Sequence, residues 1–235
     1  MLKSYLVSGL AVCLLSQSLP ALAMCNKWAE ASQVGTLDKK ILPEASGLEI
    51  SADFDGRLYH VNDSGSSAHF VVTNSEGQDG RTIKVGGFSA ADTEDLSLGP
   101  CGVAPGTCLY IADIGDNNEV RDSIQIILIP EKAEFGSVET PIAKLSLRYP
   151  DGPHNAEGFA VHPNGDIFLI TKGKETAIYK VSARAIRSGS SSATLELLGK
   201  FDIDKLSEGK GENNFVTSFD ISSDGTRFLL LTYEE

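Results

Sequence analysis

Apolar residues in this chain come in short runs of about five, separated by turn-forming clusters, with few stretches of helical period. The runs pair. Residues 44–65 (EASGLEISADFDGRLYHVNDSG), 92–117 (DTEDLSLGPCGVAPGTCLYIADIGDN), 155–174 (NAEGFAVHPNGDIFLITKGK) and 216–235 (VTSFDISSDGTRFLLLTYEE) repeat one scheme. Each opens on a small polar or acidic cluster, runs through a short apolar strand and a turn, and returns along a second apolar strand. The second strands end in polar residues: Asn62 and Asp63, Asp113, Thr171 and Lys172, and Thr232. Asp55-Gly56, Asn164-Gly165 and Asp224-Gly225 supply the positive φ angles that tight hairpins require. The second copy carries the longer loop CGVAPGTC instead. A bridge between Cys101 and Cys108 would hold that hairpin shut, worth roughly 2–3 kcal/mol on the chain-entropy account.

Two further strands fit between successive hairpins: 69–73 and 82–85, 124–129 and 142–147, 177–181 and 194–198. Four antiparallel strands per repeat, arrayed radially, make a β-propeller. The predicted fold is therefore all-β, with four-stranded blades of which about three and a half are present. A sandwich with weak self-similarity is the competing all-β reading. The count predicts a truncated propeller, the alternative being two copies that complete each other. Residues 34–42 are expected as an outer strand without a partner, and the run SGSSSA, 188–193, as a flexible loop.

The N-terminus reads as an export signal. Lys3 precedes an apolar stretch at 5–15 that is too short to span a bilayer, and Ala21-Leu22-Ala23 is a small-x-small cleavage site. Residues 1–23 are thus the predicted signal peptide and 24–235 a single, incomplete propeller domain in the periplasm or outside the cell. Cys25 follows Met24, where a lipobox needs a small residue, so soluble export is expected. Cleavage removes Lys3 and no acid, which takes the formal charge from −12 to about −13. So acidic a surface repels nucleic acid and anionic lipid and suits cations or neutral partners. Export permits disulfides; Cys101–Cys108 is the expected pair, and Cys25 is left over. No cysteine or histidine pair has zinc-ligand spacing.

In a propeller, residues entering the innermost strands and the loops leaving the second strands gather at one mouth of the central channel. The first set is Glu44, Asp92, Glu94, Asp95, Asn155 and Glu157; the second is Asn62, Asp63, Asp113, Asp116 and Asn117, with Lys172 beside them. Crowded carboxylates repel unless a cation neutralises them, and Ca²⁺ accepts six to eight oxygen ligands in irregular geometry. Glu94, Asp95, Asp113 and Glu157 are the candidate Ca²⁺ ligands; Glu44, Asn62, Asp63, Asp92, Asp116, Asn117, Asn155 and Lys172 are the candidate ligand-binding residues. Turn capping by Asp and Asn is the other role open to NDSG and DIGDN. In LYIADIGDNNEVR, Arg121 can pair with Asp113 or Asp116 and lock the loop. This is no EF-hand, because the twelfth position counted from Asp113 is Ile124 where a glutamate is needed. Glu94 and Glu157 occupy matching points of two repeats, either as ligands, as an acid and base, or as buried carboxylates bonded to backbone. His60, His69, His154 and His162 are scattered, and HExxH, G-x-S-x-G, P-loop and Rossmann signatures are absent.

The set EASGL, NDSG, DTEDL, LYIADIGDNNEVR, YPDGPHNAEGF and VTSFDISSDGTR resembles a family of exported bacterial six-bladed β-propellers, and more distantly phytase-like and gluconolactonase-like propellers. The resemblance spans residues 44–233 and implies a six-bladed ring, from which this chain departs by ending early. Two functions are compatible with these readings. One is a binding protein whose acidic mouth takes a small-molecule or protein ligand. The other, implied by the distant relatives, is a Ca²⁺-dependent hydrolase of phosphoesters or lactones. The catalytic residues are unassigned, and no nucleotide or organic cofactor is indicated.

Overall fold

The computed structural model describes residue 30 and residues 32–63, 68–173, 175–203 and 215–233. The signal peptide and Cys25 lie outside the described residues. Residues 34–235 form one compact unit. It is all-β, built of antiparallel sheets, and among the described residues no helix is long and apolar enough to cross a membrane.

The first sheet contains β1 (Ala45–Ile50), β2 (Arg57–Asn62), β3 (His69–Asn74) and β4 (Arg81–Val85). The second contains β5 (Asp95–Pro100), β6 (Thr107–Asp113), β7 (Ile124–Pro130) and, after the two-residue β8 (Val138–Glu139), β9 (Ala143–Arg148). The third contains β10 (Ala156–Val161), β11 (Ile167–Thr171), β12 (Glu175–Val181) and β14 (Glu196–Asp202), with α1 (Ala183–Arg187) and β13 (Ser192–Thr194) between the last two. The fourth is the hairpin β15 (Val216–Ile221) and β16 (Phe228–Thr232). In every sheet consecutive strands pair antiparallel.

The turns follow the sequence. Gly56, Gly165 and Gly225 have φ of 70°, 90° and 69°, which a side chain would strain. In the second repeat Cys101 and Cys108 form a disulfide across the loop. Other local expectations are corrected. Residues 34–42 are not a strand: Thr36 N–H donates to the Glu76 carbonyl at the β3–β4 turn, 3.1 Å, so the segment docks on the first sheet. The run 188–193 is not wholly loop, because β13 pairs parallel with β9 through Ser146, Leu147 and Arg148. Likewise β8 pairs parallel with β4. Each of these short straps comes from the connection between the third and fourth strands of the following sheet. It covers an edge whose N–H and C=O groups would otherwise be open.

The sheets stack through their faces. Tyr59, Val61 and Phe70 of the first meet Leu109, Ile111, Ile127 and Ile129 of the second. The other face of the second, with Tyr110, Ile126 and Leu128, meets Phe159, Leu169 and Tyr179 of the third. Strands β6 and β7 are therefore buried on both sides, which is why TCLYIAD and IQIILIP read as nearly unbroken apolar runs. Each such side chain contributes about 1.5–3 kcal/mol by burial. A smaller cluster of Ile170, Val216 and Phe219 joins the third sheet to the hairpin. First strands lie side by side in chain order: β1 on β5, β5 on β10, β10 on β15. Side chains tie them together. Glu49 accepts from the Leu98 N–H at 3.1 Å, Asp95 from the Phe159 N–H at 3.2 Å, and Ser97 Oγ from the Val161 N–H at 3.2 Å.

Candidate functional site

The pairing register slips once at the start of three first strands: between Ala45 and Leu48, Ala156 and Gly158, and Val216 and Ser218. Such bulges re-aim a side chain. The equivalent positions in the four repeats are Ser46, Glu94, Glu157 and Thr217, and all four line one cleft of about 410 Å³. Glu44, Asp63, Asn117, Lys172, Ser218 and Tyr233 complete most of its wall. An adjoining cleft of about 260 Å³ shares Asn117 and Lys172 and adds Asn155 and Phe215.

At the centre stand Asp63, Asp92 and Glu94, each offering a carboxylate oxygen within 4.8 Å of the others. A cation with bonds of about 2.4 Å can touch all three. Glu94 is only 4% exposed. Its Oε1 lies so close over Gly115 that a side chain there would collide with it. Burial, then the Asp63 and Glu157 charges, push Glu94 up to about 9. Asp92 Oδ1 is buried without a partner, while Oδ2 accepts a long bond from the Asn117 amide, 3.4 Å. Burial and Asp63 raise Asp92 as well.

Glu157 is held differently. Lys172 Nζ is ion-paired to its Oε1 and donates to Tyr233 Oη at 2.9 Å. Burial raises Glu157 even so. Against burial, which lowers it, Glu157 and Tyr233 hold the Lys172 ammonium above its ordinary range.

The remaining acids are turned to the backbone. Asp113 Oδ1 accepts from the Ala91 and Asp92 N–H groups at 2.8 and 2.7 Å, and Oδ2 from Arg121 Nη2 at 2.6 Å. Arg121 also donates to the Gly115 and Asp113 carbonyls. Asp116 Oδ2 accepts from the Arg121 N–H, and its own N–H donates to Asn155 Oδ1, both at 2.7 Å. Asn62 Oδ1 caps the Glu44 N–H at 2.9 Å. Asp95 is buried, with its oxygens on the Leu96 and Phe159 N–H groups, and burial pushes it well above the usual carboxylate range. Asp95 and Asp113 therefore lie outside the trio that Glu94 joins, and Glu157 faces the same cleft through its pair with Lys172. His154 is not at the cleft; it packs on Tyr149 and Tyr179 and bonds Asp151 at 3.1 Å.

Neither a family model nor a curated protein matches the chain. Among solved structures it is similar to that of U3-55K, at 11% identity and a TM-score of 0.39, over 79% of this chain and 47% of that one. The chain thus spans about half the length of that protein, and a likeness at this level carries no argument about fold or activity.

Sequence reasoning passed over Ser46, Thr217, Ser218 and Tyr233. The repeat alignment contains the first two, since they stand at the position of Glu94 and Glu157. Tyr233 carries no signal of its own; β16 delivers it to Lys172 by its length.

Proposed function

We propose that this chain is an exported binding protein of the β-propeller type, whose acidic mouth holds a divalent cation and, through it, a ligand. The repeated sheets, first strands in serial contact and the convergence of equivalent positions on one cleft support the propeller reading. The observation that carries the cation is the trio itself: Glu94, a side chain only 4% exposed, stands with Asp63 and Asp92, whose Oδ1 is buried without a partner, each offering a carboxylate oxygen within 4.8 Å of the others. Burying an unpaired charge is costly, so Glu94 stays protonated until a cation arrives. Asp63, Asp92 and Glu94 would hold it, and Ca²⁺ fits because it takes oxygen ligands and tolerates an open, irregular shell. Lys172, Glu157, Asn117 and Tyr233 then line the room left for a ligand's polar groups.

The test is thermal unfolding with and without Ca²⁺. At a cation concentration of about 100 times Kd the stabilisation is about 2.7 kcal/mol, a rise of roughly 5–10 °C in Tm for a domain of this size. Glu94→Gln abolishes the rise. An unchanged Tm at millimolar Ca²⁺, Mg²⁺ and Mn²⁺ would remove the cation from this reading. A chromogenic phosphoester and lactone screen separates binding from hydrolysis: turnover that Glu94→Gln abolishes would replace the binding reading with the hydrolase.

A further inference from the structure

Gly115 lies in the loop that leaves β6 and that Arg121 closes. It stands beneath two of the acids in the cleft. A Cβ at this position would run into Asp92 Oδ2 and Glu94 Oε1 alike. Its φ is outside the left-handed region, so the backbone makes no demand for glycine here. The demand is for room. At Gly99 and Gly158 a Cβ would meet Val161 and Phe219, which is the ordinary crowding of packed sheets. At Gly115 the nearest atoms all belong to carboxylates.

The floor is fixed from both sides. Gly115 N–H donates to the Asp92 carbonyl at 3.0 Å, and its own carbonyl accepts from Arg121 Nη1 at 2.6 Å. Ile114 before it is wholly buried, and Asp116 after it is nearly so. The carboxylates are the looser party. Glu94 ends a long, flexible side chain, and the Asn117 amide holds Asp92 Oδ2 only at 3.4 Å. An added methyl group therefore moves the acids before it moves the loop.

We propose that Gly115 is a positioning residue of the cation site: its bare Cα lets Asp92 and Glu94 settle side by side on a floor fixed by Arg121, so that both reach the ion that Asp63 also faces. The proposal rests on the reading of Asp63, Asp92 and Glu94 as cation ligands. It gives Arg121 a second task, since the guanidinium that satisfies Asp113 also holds the Gly115 carbonyl.

The test is a double-mutant cycle of Gly115→Ala and Glu94→Asp in the full chain, read by Ca²⁺ calorimetry and by melting of the cation-free protein. Gly115→Ala is expected to weaken Ca²⁺ binding about 10–100-fold, the range for losing an outer support of a metal ligand. The cation-free Tm falls by a few degrees at most, which separates misplaced ligands from a damaged fold. Glu94→Asp withdraws the longer acid by one methylene, so on that background Gly115→Ala costs less than about threefold. Gly199→Ala, on β14 with open space about its Cβ, leaves both readings unchanged. Unchanged Ca²⁺ affinity in Gly115→Ala, or losses that simply add, overturn the proposal and leave the cation reading standing. So does a Gly115→Ala chain that fails to fold with or without Glu94→Asp, which would make this glycine a packing residue. A parent chain that binds no Ca²⁺ overturns the cation reading and this proposal together.

Discussion

Two acidic groups adjoin where the Asp92 N–H donates to Asp113, and they are built in opposite ways. Around Asp113 and Asp116 nearly every oxygen has a donor: two backbone amides and a guanidinium on the first, the Arg121 amide on the second. Around Asp63, Asp92 and Glu94, Asp92 Oδ1 is buried without a partner, and the three carboxyls bring an oxygen each within 4.8 Å of the others. The first group closes a loop; the second is the one proposed to take a cation. A count of acids along the sequence cannot separate the two, whereas the supply of donors does.

Substitutions should therefore act in opposite directions on the two sides. The largest effect belongs to the lock. Arg121→Ala strands the buried Asp113 charge and is expected to cost about 3–5 kcal/mol, read as a lower denaturant midpoint. A loss below about 1 kcal/mol would mean that the lock is ornamental.

On the open side the sign reverses. Glu94→Gln keeps the shape and removes the ionisation that favours the unfolded chain, so the cation-free protein at pH 8 should gain at least roughly 1–3 kcal/mol. A destabilised variant would show that Glu94 is satisfied as a carboxylate. The pH profile sharpens this. A carboxyl raised from about 4.5 to about 9 stays protonated in the fold while the unfolded chain ionises. Stability that is present below pH 4.5 is thus lost as pH rises toward 9. Urea titrations of cation-free protein should show that loss, reduced in Glu94→Gln and reduced when Ca²⁺ is present.

The smallest effect lies at the border between the two. Asn155→Ala removes the acceptor for the Asp116 N–H and should cost about 1–2 kcal/mol while leaving the Ca²⁺ response within a few-fold of the parent. A Ca²⁺ response lost with Asn155 would merge the two regions into one.

Much of the architecture was legible. Asp-Gly and Asn-Gly turns, the cysteine pair and the doubled apolar runs mark hairpins because each has a local cause. The straps β8 and β13 were not, since two or three residues carry no period, and α1 is a single short turn set by its place between β12 and β13. In the site, the matching of Glu94 with Glu157 followed from the repeat. The direction of Asp95 did not. It stands where two other repeats carry Gly47 and Gly158, and only its packing beneath Gly47 turns its carboxylate to the Phe159 amide. Asp113 ends its strand as Asn62 and Thr171 do theirs, yet the amides of Ala91 and Asp92 claim it, and those lie 22 and 21 residues away along the chain.

The central claim, that a proton occupies Glu94 where a cation belongs, is tested most directly by calorimetric titration of Ca²⁺ at pH 7 in two buffers of different ionisation enthalpy. The account predicts release of about one proton per bound ion, absent in Glu94→Gln. Binding with no proton release, or no binding at all, would contradict it.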